Sequence, residues 1–215
     1  MEKWRGKVAV VTGASSGIGA AIALDFVKHG LIVINLDRNV DEEKVKEVDK
    51  VAVQHGGKFL ARQTDISDMH SLKASFKWIE EKFSVINVHV NAAGVAHNIS
   101  VLDEESEEKI NSTIDINFKG TVHCAREAIR LIRKSEDYGM LINIGSMFAH
   151  VIPFPIVGNV YAATKFGVRA FTEIVRQELI VSGDEKIRVS SISPGTIKTN
   201  VRVTAGWKDT EEFYR

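Results

Sequence analysis

The chain has 215 residues, 44% hydrophobic and 26% charged, a size and balance that suit one α/β domain spanning 1–215 with a sizeable core. Its 28 basic and 28 acidic side chains cancel, which removes any bulk electrostatic pull toward nucleic acid or an anionic membrane. One cysteine, Cys124, excludes an intrachain disulfide framework and fits a reducing, cytoplasmic compartment; no apolar run reaches membrane-spanning length, and the seven histidines lack metal-ligand spacing.

Residues 7–12 are a short β-branched apolar run, the pattern of a strand buried on both faces. The run ends in Gly13-Ala14-Ser15-Ser16-Gly17-Ile18-Gly19, and a helical pattern follows over 18–28 and stops at Gly30. Residues 31–36 read as a second buried strand that leads into Asp37-Arg38-Asn39. A charged helix is expected over 41–55, a third strand over 58–62, and a helix ending near 83. The fourth strand, 86–90, runs into Asn91-Ala92-Ala93-Gly94. Residues 104–134 read as one extended helix, 140–144 as a fifth strand, 160–181 as a helix and 187–192 as a sixth strand before Ser193-Pro194-Gly195-Thr196. This alternation predicts a doubly wound parallel α/β sheet with ligands at the carboxyl ends of its strands.

The motifs sit at those ends. Gly13, Gly17 and Gly19 let the backbone turn tightly and approach a phosphate, while the following helix start offers free N–H groups. Gly13 to Gly17 also matches a hydrolase nucleophile elbow, but Ser15 follows the first strand, so no earlier strand-loop exists to complete an oxyanion hole. Asp37, about 20 residues beyond the glycines, can accept hydrogen bonds from an adenosine ribose and favours NAD; Arg38 can pair with a 2′-phosphate and favours NADP. Tyr161 and Lys165 stand one helical turn apart on one face. An ammonium there is expected to pull the phenol's pKa down toward working pH and so make a proton donor and acceptor. The apolar stretch 147–157 beside that pair suggests an apolar alcohol or carbonyl substrate, or else packing against the body or a partner subunit, and His150 within it reads as a packed or surface residue.

Together these residues resemble the classical short-chain dehydrogenase/reductase family, in its farnesol-dehydrogenase-like and ketosteroid-reductase-like branch. Thr12 to Gly19 is similar to the family's cofactor loop, in which Gly13, Ser15, Ser16, Gly17, Ile18 and Gly19 are implied to bind cofactor. Asp65 and Ile66 fall where the family holds adenine. Asn91-Ala92-Ala93-Gly94 resembles its Asn-Asn-Ala-Gly turn, with Ala92 a departure, and implies cofactor contacts from Asn91, Ala92 and Gly94. Asp115 to Gly120 matches the segment supplying an active-site asparagine, Asn117. Ser146, Tyr161 and Lys165 match the remaining catalytic positions, and Pro194, Gly195 and Thr196 the turn beside the nicotinamide. The resemblance implies a Rossmann-type fold and NAD(P)-linked alcohol–carbonyl interconversion. Tyr161 would be the acid/base, Lys165 its modulator, Ser146 the orienter of the substrate oxygen, and Asn117 the holder of a relay water. It also implies a homodimer or homotetramer. Family members usually continue into a seventh strand and a further helix, so this fold is expected to lack both, with its sixth strand a bare edge or one that a partner covers. A shortened, weakly catalytic nucleotide-binding protein is the alternative.

Overall fold

The computed structural model describes residues 1–152 and 159–199. The C-terminal half of the apolar stretch, 153–157, lies outside the described residues. Among the described residues, six parallel strands form one sheet: β1 (Val8–Thr12), β2 (Ile32–Asp37), β3 (Lys58–Gln63), β4 (Val88–Asn91), β5 (Gly139–Ile144) and β6 (Ile187–Ile192), in the order β3-β2-β1-β4-β5-β6. Between them run α1 (Gly17–Lys28), α2 (Glu42–Gln54), α3 (Met69–Phe83), α4 (Glu107–Ile114), α5 (Thr121–Ile132) and α6 (Asn159–Val181). This is the doubly wound, Rossmann-type arrangement.

Strand residues alternate between two cores because successive side chains leave opposite faces of the sheet. Val8 and Val10 of β1 join Leu72, Phe76, Leu131 and Leu141 under α3, α5 and α6. Ala9 and Val11 join Ala23, Val27, Val33 and Ala52 under α1 and α2. Burial on both faces explains the unbroken apolar runs. Asp41 and Asp68 start α2 and α3 by accepting backbone N–H bonds at the helix N-termini.

The chain order reverses between β2 and β4 on either side of β1, which opens a crevice at their carboxyl ends. Register places Thr12 beside Asn91, and Asn91 beside Asn143, so three polar side chains meet at the floor of that crevice. Among the described residues, β6 pairs with β5 alone.

One expected element is corrected. The stretch 104–134 is not a single helix: a 3-10 turn (Glu104–Ser106), α4, a π-helical turn (Asp115–Gly120) and α5 succeed one another. Periodicity cannot register this, because the apolar pattern continues through it. The cause is side-chain hydrogen bonding by Asn117 and Thr121. Thr121 donates its backbone N–H to Phe118 and its hydroxyl to the Asn117 carbonyl at 2.8 Å, so the usual helical bond to Asn117 is replaced. Single π turns of this kind recur at functional sites.

Candidate active site

The glycine loop is held shut against the β4 end. The Thr12 hydroxyl oxygen accepts the N–H groups of Ala92 and Ala93, both at 3.1 Å. Gly13 has φ +71°, and a Cβ there would stand 2.7 Å from the Ala93 Cα. At Gly19 an added Cβ would lie 2.4 Å from the Gly13 carbonyl oxygen. Both positions therefore exclude any other residue without backbone movement. Ser16, the N-cap of α1, makes no side-chain capping bond and lines the crevice with Gly17, Ile18 and Gly19. Free first-turn amides and the helix dipole suit a phosphate there.

Asp37 closes the far end. Its carboxylate accepts the N–H of Ser15 at 3.1 Å and that of Asn39 at 3.1 Å, which aims it while leaving further lone pairs. Arg38 is exposed and lines the same crevice. Asp65 and Ile66 form the opposite wall, with the Asp65 carboxylate fixed by the Ser67 N–H at 2.9 Å.

The second half of the crevice shares Ile18, Ala92 and Gly94 with the first, so the two are continuous. Ser146, Tyr161, Lys165, Pro194, Gly195 and Thr196 line it, with Ala96, Ile144, Met147, Phe148 and Ile197 as apolar walls. Phe148 meets the Tyr161 ring edge-on, centroids 6.5 Å apart at 88°. Ser146 accepts the Phe148 N–H at 3.1 Å and caps the turn Met147–Ala149, whose first N–H reaches the Pro194 carbonyl at 2.8 Å.

Lys165 is 5% exposed and donates to the Ile144 carbonyl at 2.8 Å, with its Nζ 5.5 Å from the Tyr161 ring centroid. Burial pulls the ammonium down to about 8. Burial also pushes the Tyr161 phenol above its ordinary value, and the Ser146 hydroxyl pulls in the opposite direction. The expected depression of the phenol by Lys165 is therefore not what governs this geometry: desolvation dominates, and the counterweight is Ser146.

Three sequence candidates stand away from the crevice surface. Ser15 turns aside, with its hydroxyl donating to the Asn39 carbonyl at 2.7 Å and its N–H taken by Asp37. Asn91 is buried beneath the floor, donating to Asn143 Oδ1 at 2.9 Å. Asn117 is 0% exposed, and its amide clamps Val95: Oδ1 accepts the Val95 N–H and Nδ2 donates to the Val95 carbonyl, both at 2.8 Å. It holds the turn after Gly94 in place. His150 is an exposed residue whose Nε2 lies 3.0 Å from Ser193 Oγ.

Thr12, Asn35 and Asn143 were not singled out from the sequence. Asn35 accepts the Ala14 N–H at 3.0 Å and donates to Ser15 Oγ. The available signal was a polar residue near the carboxyl end of an otherwise apolar strand, which burial makes costly unless it is bonded.

A family model described as short chain dehydrogenase matches residues 7–209. A farnesol dehydrogenase of Aedes aegypti is 39% identical over 204 residues, covering 94% of this chain and 81% of its own. Among solved structures, a short chain dehydrogenase/reductase from Burkholderia phymatum in complex with NAD superposes with a TM-score of 0.84 at 25% identity, covering 95% of this chain and 70% of that one. A short chain dehydrogenase from Burkholderia cenocepacia in complex with NADP gives 0.81 at 27% identity, covering 92% and 77%.

Proposed function

The chain belongs to the short-chain dehydrogenase family, and from that premise we propose that it is an NAD(P)-dependent oxidoreductase that interconverts an apolar alcohol and its aldehyde or ketone. The observation that carries the reading is the meeting of Ser146, Tyr161 and Lys165 in an apolar cleft continuous with a glycine-lined one. The same reading takes 1–215 as one working domain and places it in the cytoplasm.

The residues fit a dinucleotide. Asp37, Asp65 and Ile66 would hold its adenosine end, Ser16 to Gly19 its phosphates, and Ala92, Lys165 and Pro194 to Thr196 the nicotinamide end. Gly195 has open space where a Cβ would stand, so a flat ring can approach the backbone there. The bound nicotinamide supplies the hydride chemistry. This chain's residues manage the proton. Ser146 Oγ orients the substrate oxygen and stabilises charge on it. Tyr161 Oη takes the hydroxyl proton in oxidation and returns it in reduction. Lys165 keeps positive charge beside the phenol, and the apolar walls exclude water. Asn117 supports the relay by fixing Val95 and the π turn.

Oxidation of a panel of isoprenoid and other apolar alcohols with NAD and with NADP, and reduction of the matching carbonyls, tests the reading. Binding of either nucleotide without any turnover across the panel would overturn it.

Nucleotide choice turns on Asp37. A carboxylate held at the end of β2 repels a 2′-phosphate, whereas exposed Arg38 attracts one through solvent. NADH is expected to bind about tenfold more tightly than NADPH, and Asp37→Ser to close that gap. Fluorescence titration of both nucleotides measures it, and tighter binding of NADPH than of NADH in the wild type would show that Arg38 prevails.

The reading also includes assembly as a homodimer or homotetramer. Ile174, Ile180 and Val181 are exposed on α6, next to a groove between α5 and α6 that is lined by Ile129 and Phe171 together with the charged Arg126, Arg130, Arg133 and Glu178. Light scattering should give a multiple of the 23.8 kDa chain mass, and a monomer at assay concentration would refute it.

A further inference from the structure

Beneath the crevice lies a line of buried polar groups that the chemistry above does not use, headed by His89 on β4. His89 is 0% exposed and packs its ring against Phe76, centroids 5.9 Å apart. Its Nε2 lies 2.9 Å from Asn91 Oδ1. Asn91 Nδ2 reaches Asn143 Oδ1 at 2.9 Å and the Thr121 carbonyl at 3.3 Å. Asn143 Nδ2 reaches Thr172 Oγ1 at 2.9 Å, and Thr172 reaches the Val168 carbonyl at 2.7 Å.

Two carbonyls, which can only accept, set the direction of every bond in this line. The Val168 carbonyl makes Thr172 a donor, so Thr172 Oγ1 accepts from Asn143. The Thr121 carbonyl makes the Asn91 Nδ2 end face α5, so Asn91 presents Oδ1 to His89. His89 must then carry its proton on Nε2. Its Nδ1 has no hydrogen-bond partner among the described residues, as a bare nitrogen facing apolar packing would have.

The line ends on both catalytic supports. Val168 lies on α6 one turn beyond Lys165. Thr121, whose carbonyl receives Asn91, gives its hydroxyl to Asn117 at the π turn. We propose that His89 is a positioning residue: by donating from Nε2 it fixes the Asn91 amide, and through Asn143–Thr172 and Thr121 it sets α6 and the Asn117 turn at the separation that Tyr161 and Lys165 require. A hydrocarbon at position 89 would pack equally well but would leave Asn91 Oδ1 buried and free to rotate away. The glycine loop is anchored by Thr12 and Asn35 and lies outside this line.

The proposal rests on the dehydrogenase reading, and two measurements separate them. In spectra of the full chain labelled with nitrogen-15 histidine, His89 should be neutral with its proton on Nε2, whether or not any substrate turns over. His89→Leu should lower kcat about tenfold, the rate equivalent of about 1.4 kcal/mol, with KM for the nucleotide within about twofold. His89→Gln places an amide N–H near the Nε2 position and should restore kcat to within about threefold of wild type. A charged or Nδ1-protonated His89 overturns the proposal. So does a Leu variant with wild-type kcat, or a Gln variant no better than Leu. If the Leu variant does not fold, the tautomer and the kcat of the Gln variant decide. If the wild type turns over nothing, the dehydrogenase reading fails while the tautomer still tests the line.

Discussion

Replacing Tyr161 with Phe is expected to lower kcat by about 100- to 10,000-fold and to leave nucleotide affinity within about twofold. The substitution removes one oxygen and keeps the ring, so the edge-on contact with Phe148 and the start of α6 survive. The loss isolates proton transfer from packing. Direction of reaction sharpens the test. Burial raises the phenol above its ordinary value, so at neutral pH Tyr161 is held protonated, ready to donate. Carbonyl reduction should therefore stay fast across pH 6 to 10, below the raised phenol value. Alcohol oxidation, which needs the deprotonated phenol, should climb over the same range. Steady-state rates in both directions from pH 6 to 10, with the Phe variant as control, measure this. A Phe variant at wild-type rate would assign the acid/base role elsewhere.

Stability should rise with pH in two separate windows, one from His89 and one from Lys165. Both are bases whose pKa is depressed in the folded chain, mainly by burial: His89 from 6.5 to about 4 and Lys165 from 10.5 to about 8. Between the folded and unfolded values the unfolded chain binds the extra proton, so unfolding is favoured as pH falls. For His89 the full stability is present above 6.5 and is lost on descending toward 4. For Lys165 it is present above 10.5 and already lost at neutral pH. Each gap is about 2.5 pH units, which corresponds to about 3 kcal/mol at 1.36 kcal/mol per unit. Lys165 thus costs stability at pH 7, and Lys165→Met should stabilise the nucleotide-free chain. Losing the bond to the Ile144 carbonyl offsets about 1 kcal/mol, leaving a gain of about 1–2 kcal/mol. Catalysis should fall sharply in the same variant, as expected where a functional group is buried against its preference. Urea unfolding at pH 5, 7 and 9 checks both windows. A flat profile, or a Met variant less stable than wild type, would contradict the argument.

The architecture was legible because each strand is buried on both faces and reads as an unbroken apolar run, while each helix carries a 3.6-residue pattern bounded by Gly or Asp. The strands at 7–12, 31–36 and 140–144 and the helix carrying Tyr161 emerge close to their observed bounds. The π turn at Asp115–Gly120 did not emerge, because its origin is a hydrogen bond from the Thr121 hydroxyl and an amide clamp on Val95, 22 residues away. The anchoring role of Thr12, at the head of the cofactor-loop motif, was not legible for a similar reason: its partners, Ala92 and Ala93, stand 80 and 81 residues along the chain. His89 lay inside a strand reading and carried no motif.

Tyr161 and Lys165 illustrate the division. Their spacing on one helical face is a local matter, set by four intervening peptide bonds, and the residues alone establish it. Glycines 17 and 19 belong to the same class, since strand-turn-helix geometry acts over short range, whereas the fit of Gly13 against Ala93 and of Asp37 against Ser15 depends on strand pairing. How the pair is charged is not local. The sign of the Tyr161 shift depends on how much protein covers the phenol and on whether Ser146, from another strand end, reaches it. The tertiary structure reversed the expected depression into a rise, because desolvation depends on the packing around a group and not on its spacing from a neighbour.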